Sequence, residues 1–564
     1  MTPTRPALYG ARHAVSAGHY LATAAGFAIL EAGGNAIDAG CAAGITLGIV
    51  QPDLVGFGGV APILIRLADG TTESIAGLGH WPRAMPADVF MREHGGKIPN
   101  GVRRTVVPAA PDAWITALER HGTMTFGEVA SFAIRHARDG FAMYPLLAQT
   151  INANIDNYRK WPGNAALYLP GGRAPLPGER FVMTDLAATI QFMADQEKSA
   201  GADRAGGLAA ARAAFYRGDI ARKIVAHQQA EGGWLSAEDL ANFRSRIEPV
   251  IRRPWRGHEI LACGPWCQGP SLIEALLLAE QLGIAGHAHN SADYLHILTE
   301  AIKLALSDRE YSFGDPDFID VPIDRLLSPA WIARQAARVR MDQAFPAMPP
   351  PLDNAPPNLK PADVELPRIE ADTSYACVID RWGNAFSATP SDGSWNAPVV
   401  PGLGFVPSAR GSQSRPDPSH PAGVAPGKRP RLTPNPAMVV TADGGAMPLG
   451  TPGGDVQIQA MLQVILNVFQ HGMDLQSAIE APRVASYSFP SSFAPFDYFP
   501  GRLAAEARID PAVRAELASR GHAMADWPGW TWLAGSVEAA RAHPGRGLIE
   551  AGADPRRPAY ALVG

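Results

Sequence analysis

A mixed α/β (α+β) fold is the class that this 564-residue sequence predicts. Three observations carry that expectation. Before residue 345, apolar residues recur at three- and four-residue spacing over long stretches, the mark of core-facing helices. A proline-rich tract then intervenes, and short β-branched runs follow it. Hydrophobic residues reach 46% while charged residues stop at 18%, a balance that fills a large core rather than leaving the chain disordered.

Each element follows in order. "YLATAAGFAIL" (20–30) reads as a buried helix, broken at Gly33-Gly34 and followed by a second helix over about 35–50. A glycine loop, "VGFGGVAP", leads into the strand "ILIRLA". The stretch 125–196 is mostly helical, as in "FGEVASFAIRHARDGF". Ser236 is a good N-cap, with Asp239 three residues on completing a near capping box. "SADYLHILTEAIKLALSDREY" predicts a long amphipathic helix buried along one stripe. In "FPAMPPPLDNAPPNLKPADVELP" the proline density forbids helix and central strand, so a tail over 345–368 is expected to be extended and mobile. After it come the strands "SYACVID" and "AFSAT" about a "RWGN" turn, then "AMVVTA" and the helix "GDVQIQAMLQVILNVFQHG".

Several functions are excluded early. A net charge of -5 gives no electrostatic footprint for nucleic acid or an anionic membrane. Four cysteines (Cys41, Cys263, Cys267, Cys377) are too few for a disulfide framework, and the Cys263/Cys267 pair lacks zinc-finger partners, so buried thiols are expected. No apolar run approaches the roughly 18 residues of a membrane span. The 20–30 run lacks a convincing charged n-region and cleavage site, so a soluble, cytoplasmic protein is expected. Neither G-x-S-x-G, H-E-x-x-H nor a P-loop occurs. The glycine loop is not a dinucleotide fingerprint. His287, His289 and His296 lie without a carboxylate motif, and "GDPDFIDVPID" lacks the EF-hand glycine and glutamate. No metal or other cofactor is therefore predicted.

The abrupt start of the strand in "IEADTSYACVIDRWGNAFSATPSDGSW" (369–395) points to chemistry. A threonine hydroxyl is a weak nucleophile unless a base stands beside it, and the nearest base is its own α-amine once that is free. Such an amine titrates near about 7.7–8.0, close to working pH. Freeing it at Thr373 requires cleavage of the Asp372–Thr373 bond. In an autoproteolytic fold the same hydroxyl attacks the preceding carbonyl, forming an ester that water opens. The proline-rich tail then leaves the site it had plugged.

"DTSYACVIDRWGNAFSAT" resembles the start of the small subunit in the γ-glutamyltranspeptidase family of N-terminal-nucleophile hydrolases. "ILEAGGNAIDAGCAAGITLGIVQP", "ARDGF", "EGGWLSAEDL", "QGPSLIEAL", "EAIKLALSDREY", "APGKRPRLTPNPAMVV" and "LGTPGGDVQIQAMLQVILN" resemble further blocks of that family, in its order, from about residue 10 to "ADPRRPAYA". The resemblance implies a four-layer αββα sandwich. It implies a large subunit, 1–372, and a small one, 373–564, intertwined as a heterodimer that could assemble further. It implies Thr373 as nucleophile and Ser391 in the place of a supporting threonine. Gly453 and Gly454 would supply backbone N–H groups to an oxyanion, and Thr433 stands where the family has a serine near the substrate carboxylate.

The amino-acid clamp departs from the family. Leu78 stands where an arginine would hold the glutamyl α-carboxylate, with Arg83 five residues on. Ser412 replaces the acid that holds the α-amine, and Gly393 replaces an asparagine. "RGS" at 410–412 resembles the amidohydrolase- and acylase-like branches, and Arg410 is expected to offer its planar fork to a substrate carboxylate or carbonyl. Trp527, Trp530 and Trp532 either line an acyl pocket or simply pack. The expected activity is thus acyl transfer from a small amide to Thr373, followed by hydrolysis. The alternatives are a true γ-glutamyl hydrolase or transpeptidase with a rearranged clamp, and an uncleaved, silent relative that binds or scaffolds. Ser374-Tyr375, in place of the family's Thr-His, keeps the last reading open.

Overall fold

The computed structural model describes residues 3–201, 203–353, 359–364 and 373–564. Its centre is a pair of seven-stranded sheets, antiparallel throughout. One runs Leu8–Gly10, Leu548–Ala553, Glu538–His543, Ala446–Gly450, Ala437–Val440, His258–Ala262, Ile251–Trp255. The other runs Tyr560–Val563, Ala14–Ala17, Ala376–Ile379, Ala385–Ala388, Ile63–Arg66, Thr72–Ile75, Ile247–Glu248. Each sheet draws strands from both sides of Thr373.

Alternation along the strands divides the layers, because successive side chains point to opposite faces. Cys377 and Ile379 enter a core shared with Leu261, Met438 and Ala540 of the other sheet. Val378 and Phe386 instead face helices packed outside, while Val439 and Met447 face a second helical layer on the opposite side. The result is the expected αββα order. Being covered on both faces, Ala376–Ile379 is buried at every position and so reads as an unbroken apolar run.

The helix Ala36–Val50 is buried at all of its residues, which the sequence achieves with small side chains. At Gly40 a Cβ would lie 2.1 Å from the Phe386 ring, so only glycine lets helix and sheet approach this closely. Asn35 and Asp38 form its capping box, and Ser236 with Asp239 forms the one read from the sequence. The helix Ala292–Ser312 differs from the single buried stripe expected of it. Nearly its whole circumference is buried, because partners neutralise its charges: Glu300 with Lys303, Arg309 with Asp455, and Glu310 with Arg415 and Arg431.

The first part of the proline-rich tract is held. Lys303 Nζ donates to Phe345 O, Ser307 Oγ to Pro349 O and the Met348 amide to Tyr498 Oη, at 2.8, 2.7 and 2.9 Å. Residues 354–358 and 365–372, including Asp372 and the expected junction, lie outside the described residues. Among the described residues no helix is long and apolar enough to cross a membrane.

Candidate active site

Thr373 heads the strand Ala376–Ile379 and is fully buried. An antiparallel bridge joins it to Ser391, just beyond the neighbouring strand. Ser391 is in turn clipped to Val60 of the glycine loop by two backbone hydrogen bonds, of 2.9 and 3.1 Å. This backbone frame brings Thr373 Oγ1 to 2.8 Å from Ser391 Oγ. Gln457, opening the helix Gln457–Phe469, adds its Nε2 at 3.4 Å from Thr373 Oγ1.

Gly453 and Gly454 precede that helix with φ of 121° and 56°, a left-handed turn open to glycine. The turn is tied to Thr433 by one side chain. Gln268 Nε2 donates to Thr433 O at 2.8 Å and to Gly454 O at 2.9 Å, while its Oε1 accepts from Arg309 at 3.1 Å. Arg309 also pairs with Asp455, whose carboxylate accepts from the Ser492 amide and hydroxyl.

Arg410 is buried, in a 3-10 turn, Arg410–Gln413. A substrate-facing fork was the expectation for it. Its guanidinium instead donates to Ser391 Oγ, and to Gln413 Oε1 at 3.4 Å. Its Nε lies 3.8 Å from Asp392 Oδ1, and its face covers the Phe493 ring at 5.4 Å. Gln413 Nε2 donates to Thr433 Oγ1 at 2.9 Å. Burial pushes the Asp392 carboxyl up from its ordinary value, with Arg410 opposing the shift. The polar links therefore run from Thr373 through Ser391, Arg410, Gln413, Thr433 and Gln268 to Gly454.

Ser412 stands apart from that chain. It lines a cleft of about 750 Å³ together with Lys97, Asn100, Trp395, Asn396 and Phe493. Among the described residues lining it there is no carboxylate. Leu78 is packed with Val60, Cys263, Trp266, Cys267 and Leu432, and Arg83 is exposed. The tryptophans serve packing: Trp527 meets Tyr487 edge-on, Trp530 lies under Arg508 and Arg556, and Trp532 under Arg557. All four cysteines are free and buried.

His287 and His289 do not join His296. His296 forms a buried group with Glu300 and His522. There the two rings bond one another at 2.9 Å, and Glu300 already holds Lys303 and the Phe345 amide. Gln268, Gln413, Gln457 and Asp392 were not singled out from the sequence. Gln268 and Gln457 lie inside the quoted blocks "QGPSLIEAL" and "LGTPGGDVQIQAMLQVILN", which was the available signal.

Residues 22–564 match the family model described as Gamma-glutamyltranspeptidase. The chain belongs to that family. It is 33% identical over 549 residues to the Acylase ACY 1 proenzyme of Pseudomonas sp. (strain SE83), covering 95% of this chain and 90% of that one. It is 29% identical over 551 residues to the Glutathione hydrolase-like YwrD proenzyme of Bacillus subtilis (strain 168), covering 97% of each. The solved cephalosporin acylase from Bacillus halodurans superposes with a TM-score of 0.86 at 26% identity, over 100% of this chain and 98% of that one. The protein is thus an enzyme of the hydrolase and acyltransferase kind, with the N-terminal-nucleophile fold.

Proposed function

We propose that the protein is an autoprocessed N-terminal-threonine amidase. Cleavage between Asp372 and Thr373 would yield a large chain, 1–372, and a small chain, 373–564, that stay together through their shared sheets. The freed Thr373 amine takes the proton of its own hydroxyl. Oγ1 attacks the carbonyl carbon of a small amide, and the carbonyl electron pair moves onto its oxygen, facing the N–H groups of Gly453 and Gly454. The proton passes to the leaving amine as the C–N bond breaks, and water then opens the Thr373 ester.

The observation that carries this reading is the 2.8 Å contact of Thr373 Oγ1 with Ser391 Oγ, made in a fully buried corner and linked to the glycine turn. Ser412 and Thr433 are proposed to contact substrate, which enters by the cleft beside Ser412. The apolar packing of Leu78 supports an acyl amide over a γ-glutamyl compound, since Leu78 offers a glutamyl carboxylate no charge and Arg429, which covers Trp266 in the same cluster, is already held by Glu248 and Asp315. Two measurements test this. Denaturing gels and intact mass of the wild type should show two chains meeting at 372/373, and Thr373→Ala should remain one chain and inert. The matured enzyme should hydrolyse simple acyl-p-nitroanilides faster than γ-glutamyl-p-nitroanilide. A wild type that remains a single chain would sink the proposal.

A further inference from the structure

A guanidinium has donors and no acceptor. Arg410 can therefore meet Ser391 Oγ only by donating to it, as it does. Ser391 has one hydroxyl proton, and its Oγ lies 2.8 Å from Thr373 Oγ1. Gln457 Nε2 approaches Thr373 Oγ1 from another side, again as a donor. The Arg410 side chain is also fixed in place. Gln413, the Phe493 ring and Asp392 hold its ends and face, and it is 1% exposed.

Asp392 shows how the turn is aimed. It carries a φ of 140°, which L-residues rarely adopt. Its carboxylate accepts from Ser408 Oγ at 2.6 Å and the Ala409 amide at 3.1 Å, while its own amide donates to Leu54 O at 3.0 Å. One strained residue next to Ser391 thus grips the backbone leading into Arg410. Strain of this kind persists where the surroundings over-determine it, typically at functional sites.

We propose that Arg410 is a positioning residue that orients the hydroxyl relay of the nucleophile: Arg410 donates to Ser391, and Ser391 donates to Thr373 Oγ1. This rests on the reading of Thr373 as nucleophile. With donors from Ser391 and Gln457 on its oxygen, Thr373 turns its own proton outward, toward its α-amine. As Oγ1 bonds to the carbonyl carbon, that proton goes to the amine, and the negative charge passing through Oγ1 meets two donors backed by a fixed cation. The same cation holds the amine neutral at lower pH than it would otherwise be, because a nearby positive charge disfavours protonation. Among the described residues, the other charges at this corner include Asp392, Arg104, which acts on Asp392, and the Arg309–Asp455 pair beside the glycine turn.

The test uses matured full-length enzyme after self-cleavage is complete, with one neutral and one carboxylate-bearing acyl-p-nitroanilide. In Arg410→Gln the charge is lost: kcat should fall about 10- to 100-fold on both substrates with KM within threefold. The acid limb of its pH profile should move up by about half a unit or more. Arg410→Lys keeps the charge, so its acid limb should stay in place and its kcat recover at least in part. A KM raised tenfold on the anionic substrate alone, with kcat and the acid limb unmoved, would make Arg410 a substrate ligand and overturn the proposal. An unmoved acid limb in Arg410→Gln would also overturn it. Should Arg410→Gln not fold, Arg410→Lys decides: a displaced limb, or a KM change confined to the anionic substrate, refutes the relay. If the wild type does not cleave, or turns over without Thr373, the nucleophile reading fails and this inference with it. If the wild type passes both checks, failure in the Arg410 variants falls on this inference alone.

Discussion

Gly453→Ala separates backbone strain from catalysis. At φ 121° and ψ 21° the residue lies outside every basin favoured by L-amino acids. Space is not the obstacle: an added Cβ would find Val456 Cβ at 3.4 Å and Gly535 Cα at 3.5 Å, ordinary contacts. The penalty is therefore conformational, about 1–3 kcal/mol. The chain can relieve it only by rotating the peptide groups around 453, which would swing the N–H donors off the proposed oxyanion position. Loss of one such donor costs about 2.7–4 kcal/mol in the transition state, or roughly 10²–10³ in kcat. Gly444→Ala is the matched control. It too has a positive φ, 83°, in the turn between Ala437–Val440 and Ala446–Gly450, with open space around its Cβ. Both variants should lose comparable stability in urea titrations, and Gly453→Ala alone should lose turnover and slow self-cleavage. If Gly453→Ala keeps kcat within threefold of Gly444→Ala, the oxyanion role of this turn is wrong.

Three further outcomes follow from the same geometry. Gln268→Leu removes the amide bridging Thr433 O and Gly454 O and strips Arg309 of an acceptor. It should destabilise by about 3 kcal/mol in chemical denaturation and lower kcat at least tenfold, and a variant as stable as wild type would contradict the bridge. His19 is buried and held down to about 3, chiefly by burial, so the unfolded ring binds a proton below about pH 6.5 that the folded ring refuses, and stability falls with pH in that window. His19→Asn keeps an N-cap acceptor for the Leu21 amide without that titration, so wild type should lose about 2 kcal/mol relative to it between pH 7 and pH 5; parallel urea midpoints would refute this. Glu274 has the opposite sign: burial, then Asp308, raise its carboxyl well above the ordinary value. The fold keeps a proton there that the unfolded chain releases, so Glu274→Gln should gain stability over wild type as pH rises above about 4.5, measured by thermal melts.

What was legible in the sequence is what local rules control. Ser236 announces its helix because a cap is a matter of three or four residues. The strand at 376–379 was readable as a fully apolar run, and Thr373 by its place at the strand's head. Arg410 was readable as important, but its contacts within the fold were not. Aiming a buried guanidinium at Ser391 depends on Asp392 bending back and on Phe493, 83 residues away in sequence, closing over it. Gln268 acts on Thr433 and Gly454, separated from it by 165 and 186 residues. A neutral amide of that kind declares nothing until its carbonyls arrive. The near-complete burial of Ala292–Ser312 was hidden for a related reason: charges read as solvated when the partners that neutralise them lie elsewhere in the chain.

Leu78 and Arg410 differ in what surrounds them, and that difference decides which of the two positions carries a charge. The segment bearing Leu78 runs on to Trp81, whose ring stands where a Cβ on Gly411 would fall, and whose Nε1 donates to Ser414. The two segments are thus packed together. An arginine at 78 would enter a cluster of Trp266, Leu432 and two thiols where Glu248, bonded to Trp266 Nε1, is already paired with Arg429, and an unpaired buried charge is costly. Arg410 tolerates burial because Asp392, Ser391 and Gln413 receive its donors or balance its charge. Restoring a glutamyl clamp by Leu78→Arg alone should therefore fail, with loss of stability rather than gain of γ-glutamyl hydrolysis. Recognition of the acyl group is therefore proposed to lie in the cleft beside Ser412, which is lined by amides, aromatic rings and Lys97.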